Sequence, residues 1–141
     1  RTPEPAAFTG SIDSALKGKD IDICVFDKDS PTLHSARERI IQRIDAQKSA
    51  TLAYSTALMV AKMADGWIDG TIIGGKGALE FAWDTDAAIH IAEKAGIHCK
   101  RFEMAGQPWI LLANTKSLLN ALESIARQEY RAVASAASRA A

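Results

Sequence analysis

Residues 20–44, DIDICVFDKDSPTLHSARERIIQRI, decide the fold class. Ile21, Ile23 and Val25 alternate with Asp20, Asp22 and Cys24, and Cys24 and Phe26 share the opposite face. That period of two is the signature of a strand. Asp27–Thr32 reads as a turn, and inside it Ser30-Pro31 marks a helix start, with serine as N-cap and proline at the first helical position. Leu33, Ala36, Ile40, Ile41 and Ile44 then follow helical spacing. Arg37, Glu38, Arg39 and Arg43 take the other side, as a solvated face. A strand that passes directly into a capped helix is a building unit of α/β domains.

The same alternation continues outward from this unit. Residues 1–19, rich in Pro, Gly, Ser and Lys, read as a loop-rich lead-in with at most one helical turn. A second helix is predicted from about Ser49 to Asp65, with Leu52, Thr56, Met59, Val60 and Met63 as its buried stripe and Gly66 as its stop. Its methionines suit core packing. Trp67–Ile73 reads as a strand, and Gly74-Gly75-Lys76-Gly77 as a flexible turn. A third helix starts at Asp84 and buries Ala88, Ile91, Ala92 and Ala95. Strands are expected at about 98–104 and 108–113. Asn114 is placed to cap a last helix with Leu118, Leu119, Leu122 and Ile125 inward. From Arg127 the apolar stripe fades, so 1–126 reads as one α/β layered domain and 127–141 as a helical or disordered tail.

Composition narrows the function classes. A chain of 141 residues, 48% hydrophobic, is long enough for one domain with a real core. Lys+Arg and Asp+Glu each number 17, and this zero net charge argues against affinity resting on nucleic-acid phosphates. No apolar run approaches the roughly 20 residues of a membrane span, and no secretory signal pattern opens the chain. Cys24 and Cys99 lie far apart in strand-like segments, as unpaired thiols of a reducing compartment do, which gives a cytoplasmic expectation. The chain begins Arg1-Thr2-Pro3 without methionine, which suggests a processed product or a piece of something longer.

Chemistry concentrates at Trp83-Asp84-Thr85-Asp86-Ala87-Ala88. Two carboxylates at a helix start sit in the positive end of the helix dipole, where one stays ionised and retains oxygen-ligand capacity for a metal ion. On spacing alone Asp84 is a helix N-cap. Four segments taken together change that reading. They are Ser55–Gly70 (STALMVAKMADGWIDG), Trp83-Asp84, Lys94-Ala95-Gly96, and Leu111-Leu112-Ala113-Asn114 with the helix after it. In this order and spacing, over roughly 49–125, they resemble the C-terminal half of the inositol monophosphatase-like family, magnesium-dependent, lithium-sensitive phosphatases of sugar and nucleotide phosphates.

The resemblance implies a mixed sheet layered with helices, as in that family's C-terminal domain. It implies a phosphomonoesterase acting on a sugar, inositol or nucleotide phosphate, with Mg2+ as cofactor and a small phosphorylated metabolite as partner. Asp84 would be one metal ligand, and Ser55 and Thr56 would contact the substrate. Lys76, in its glycine turn, is a further candidate to meet a phosphate. The family's other metal ligands lie in an N-terminal half, so this half is an implied partner, and a homodimer is also open. Ile68-Asp69-Gly70-Thr71 superficially resembles one of those ligand segments, but Gly66 stands where its first aspartate belongs; its role is strand and turn. One aspartate does not hold a magnesium cluster, so the chain alone is expected to be inactive and no catalytic residue is assigned. Tyr54, Asp86, Ala88 and Ile97 depart from the family pattern. They keep an alternative open, a non-catalytic relative acting as a binding or dimerisation module.

Overall fold

A computed structural model describes residues 11–28, 30–53, 55–79 and 82–140. The elements in order are α1 (Ile12–Leu16), β1 (Asp20–Val25), α2 (Pro31–Asp45), β2 (Ser49–Leu52), α3 (Thr56–Ala64), β3 (Gly70–Gly74), a 3-10 turn at Lys76–Leu79, α4 (Ala82–Lys94), β4 (His98–Met104), β5 (Gln107–Ala113) and α5 (Lys116–Ala140). The strands form one mixed sheet in the order β2-β1-β3-β5-β4. β2, β1 and β3 run parallel, and β5 is antiparallel to both β3 and β4.

The alternation in β1 sorts its side chains as the sequence predicts. Ile21, Ile23 and Val25 join Leu33, Ala36, Ile40 and Ile44 of α2 and Leu118, Leu122 and Ile125 of α5 in one core. Cys24 lies on the other face, with Met59 of α3 and Ile89 of α4. Helices α1, α2 and α5 therefore cover one face and α3 and α4 the other, which makes a three-layer α/β/α sandwich. Each fully buried Leu or Ile here contributes about 1.5–3 kcal/mol. Met59 and Met63 are buried, as core methionines should be.

Several local expectations are corrected. The helix expected from Ser49 is a strand and a helix. Ser49–Leu52 pairs in parallel with Asp20–Ile23, and α3 begins only where Ser55 Oγ accepts from Leu58 N. Leu52 is consequently exposed at the sheet edge. The third helix starts at Ala82, which makes Asp84 its third residue. Its inward stripe is Ala88, Ile89 and Ala92, leaving Ile91 and Ala95 outside. The strand expected at Trp67–Ile73 is Gly70–Gly74, and Trp67 is 75% exposed.

Thr115, not Asn114, caps α5, its Oγ1 accepting from Leu118 N at 3.1 Å. Asn114 Nδ2 instead donates to Asp69 Oδ1, and Asp69 Oδ2 accepts from Asp20 N. α5 remains helical past Arg127 because Glu129 and Tyr130 are buried. Glu129 binds Arg39 and Arg43, and Tyr130 stands edge-on to Trp109. The arginines of α2 are thus ion-paired rather than simply solvated.

Candidate functional site

The connection after β1 carries the chain to α2 on one face, while those after β2 and β3 carry it to α3 and α4 on the other. Loops diverge from neighbouring parallel strands at their carboxyl ends, and such a switch point is where open α/β sheets bind ligands. All the described candidate residues fall at this edge. Ser55 precedes α3 immediately beyond β2, Thr56 is its first residue, and Lys76 follows β3 by two residues. The start of α4, with the backbone of Asp84, comes next. The side chain of Asp84 lies outside the described residues, as do Tyr54, Glu80 and Phe81.

Each piece is positioned by short-range chemistry. Ser55 Oγ is engaged as the cap of α3, so its hydroxyl closes the Leu58 N–H. The N–H groups of Thr56 and Ala57 have no acceptor within the helix and remain for an anion, favoured by the positive end of the dipole. The Gly74–Gly77 segment is not the loose turn its sequence suggests. Gly75 has φ +93°, its N–H donates to Pro108 O, and a Cβ there would sit 2.4 Å from Phe26 O. A Cβ on Gly77 would fall 2.4 Å from Phe26 Cγ, so the phenyl ring occupies the space this glycine leaves. Packing of the backbone against Phe26 holds Lys76 at the edge, exposed and with no ion-pair partner among the described residues.

Sequence reasoning missed Lys28. It lies in the β1–α2 loop one residue after Asp27, is exposed, and likewise lacks an ion-pair partner among the described residues. A lysine in a turn carries no distinguishing pattern, so only the topology brings it to the same edge as Lys76. Two unpaired cations and the start of α3 give this edge an anion-attracting character.

Elsewhere the charged groups are consumed by structure. Asp86 binds Arg101 at 2.7 Å, which takes it away from both ligand duty and His90. Asp22, buried on β1, accepts from Lys62 Nζ at 2.7 Å, and Thr71 Oγ1 donates to Met59 Sδ. Burial would raise the Glu123 carboxyl, but hydrogen bonds and charge from Lys100 and Arg127 outweigh it and hold it below the usual range. Burial pushes the Cys24 thiol up to about 11. Burial and then the Glu93 charge raise Cys99, with Arg101 opposing. Both cysteines are free thiols. An open groove of about 490 Å³, lined by Glu93, Gly96, Ile97, His98, Cys99 and Arg101, lies at the other end of the strands.

Among the described residues, no group of three or more His, Cys, Asp or Glu side chains is placed to share a metal ion. No described helix is long and apolar enough to cross a membrane.

No family model and no curated protein matches the chain. Solved structures do. Inositol monophosphate-bound SaIMPase-II superposes with a TM-score of 0.57 at 16% identity, over 88% of this chain and 48% of its own. An inositol monophosphatase from Anabaena (Nostoc) sp. PCC 7120 gives 0.52 at 21% identity, over 86% and 44%. The fold is that of the inositol monophosphatases. The chain spans about half the length of either enzyme.

Proposed function

We propose that the chain is the C-terminal part of a magnesium-dependent phosphomonoesterase acting on a sugar, inositol or nucleotide phosphate. The observation that carries this reading is the convergence of the α3 N-terminus, the Lys76 turn and the start of α4 at the switch-point edge. That arrangement serves a phosphate ester. The Thr56 and Ala57 N–H groups and the Lys76 ammonium attract its oxygens, and the small side chains at Ser55 and Thr56 leave room for the alcohol. Asp84, at the start of α4, would supply one oxygen ligand, and magnesium when bound would polarise the phosphoryl group. The remaining ligands come from another half.

Surface chemistry supports the need for that half. The outward stripe of α3 is Ala57, Leu58, Ala61 and Ala64, and that of α4 includes Ala87 and Ile91. Leu58 is 57% and Ile91 59% exposed on helices that pack side by side. Asp86, His90, Glu93 and Lys94 are also exposed on α4, whereas the arginines of α2 form ion pairs with α1 and α5.

The test is a phosphatase assay on the full-length protein with magnesium. Asp84→Asn should abolish turnover with folding intact by circular dichroism. Unchanged turnover would remove Asp84 from the mechanism, and absence of turnover in the wild type would make the binding or dimerisation module the better account.

A further inference from the structure

A second cluster stands at the same edge, on the face covered by α2. Asp27 leaves the end of β1, and its Oδ2 lies 2.8 Å from Arg37 NH1 and 2.7 Å from His34 Nδ1. Arg37 NH2 is also 3.0 Å from that Nδ1. The two contacts of Nδ1 do not coexist as hydrogen bonds, because the first needs a proton on the nitrogen and the second a lone pair. Asp27, ion-paired to Arg37, only accepts. Nδ1 therefore carries the proton and donates to Asp27, an assignment made from the network. Arg37 acts through NH1, largely buried with a side-chain exposure of 16%.

This leaves Nε2 of His34 free. No described residue bonds to it, and the side chain is 55% exposed. The ring stands in the first turns of α2, beside the loop that carries Lys28. Phe26, the residue before Asp27, packs on the Gly75–Gly77 turn that carries Lys76, and Leu33, the residue before His34, would lie 3.3 Å from a Cβ on Gly75. His34 contacts Asp27 of the β1–α2 loop and Arg37 of α2, Arg37 also pairs with Glu38, and Lys28 follows Asp27 in the same loop.

We propose that His34 is a proton-dependent contact for the anionic group held at this edge, positioned by Asp27 and Arg37; the proposal rests on the phosphate reading of the edge. With Nδ1 fixed on Asp27, proton uptake occurs at Nε2, which becomes an N–H donor bearing positive charge toward the ligand. Loss of that proton returns a lone pair, which offers nothing to a phosphate dianion. Asp27 keeps the ring oriented in both states, and Arg37 keeps Asp27.

Sulfate is the probe, because its charge is the same in mildly acid and mildly alkaline solution and leaves any pH dependence to the protein. Binding is followed by calorimetry and by ¹⁵N imidazole resonances. Sulfate should bind about two- to fivefold tighter at about pH 5.5 than at about pH 8, the scale of one exposed ion pair. His34→Gln should remove that ratio while His98→Gln keeps it. Asp27→Asn should lose the Nδ1-protonated signature that the wild-type ring shows at high pH. A ratio near one, or one that survives in His34→Gln, overturns the role of His34 while the anion site stands. A neutral ring protonated at Nε2 in the wild type overturns the positioning by Asp27. Absence of sulfate binding at either pH overturns the anion reading of the edge as well.

Discussion

Alanine substitutions at Gly75 and Gly77 test whether packing, rather than flexibility, holds the Lys76 turn. At Gly75 the backbone has φ +93°, which costs a residue with a Cβ about 1–2 kcal/mol. The added carbon would lie 2.4 Å from Phe26 O, a backbone atom that no rotamer change removes. Overpacking of that kind adds about 1–3 kcal/mol. Gly75→Ala should therefore cost roughly 2–5 kcal/mol in all. Gly77 differs because its φ is not in the left-handed region and its obstacle is the Phe26 side chain, at 2.4 Å from Cγ and 2.5 Å from Cδ1. Gly77→Ala should cost about 1–3 kcal/mol. In a Phe26→Ala background the obstacle is gone, and the same change should become neutral or stabilising by about 0.4–1 kcal/mol. Equilibrium urea unfolding of the four proteins closes the cycle. Additivity within about 0.5 kcal/mol between Phe26→Ala and Gly77→Ala would refute the contact, as would a neutral Gly75→Ala.

Two further outcomes follow from the buried charges. Lys62→Met strips the cation from Asp22, whose side chain is 2% exposed, and should cost about 3–5 kcal/mol in urea unfolding, whereas Asp22→Leu combined with Lys62→Met should recover most of it. Glu123 has a folded pKa below its ordinary value, so it contributes stability that is complete above that value and is lost as pH falls through the lowered one. Thermal unfolding of Glu123→Gln from about pH 6 down to about pH 3 should accordingly show a flatter acid limb than the wild type, and an identical limb would contradict the ion-paired state.

The strand and helix at 20–44 were legible because two periodicities and an N-cap all point the same way. Ser30 Oγ does accept from Leu33 N, and Pro31 is the first helical residue. Residues 49–65 were not, because Leu52, Thr56 and Met59 fit helical spacing by accident. Only pairing with Asp20–Ile23 distinguishes Ser49–Leu52 as a strand. The rotation of α4 was also hidden, since Ile89 and Ile91 are equally apolar and the sheet selects the former. The four motif segments taken together gave the fold relationship, which composition could not. That the loops carrying Lys28 and Lys76 leave adjacent strands was out of reach, as it depends on which strands pair.

The asymmetry between the two helical layers bears on where the proposed second half would pack. α3 and α4 carry Ser55, Thr56 and Asp84 at one end and the exposed Ala and Ile/Leu stripes along their length. The candidate ligand positions and the uncovered apolar surface therefore belong to the same two helices. A body that packed on the α3–α4 layer would remove Leu58 and Ile91 from water and could bring its own oxygen ligands toward the start of α4. One placed on α2 and α5 would instead meet ion pairs already satisfied within the chain, and would stand behind the sheet from Asp84. Burial of Leu58 and Ile91 and phosphatase activity should consequently appear together. On the proposed reading, co-expression with an N-terminal half should shield Leu58 and Ile91 from solvent labelling and confer magnesium-dependent phosphatase activity in the same preparation. Appearance of one without the other would separate the apolar face from the site.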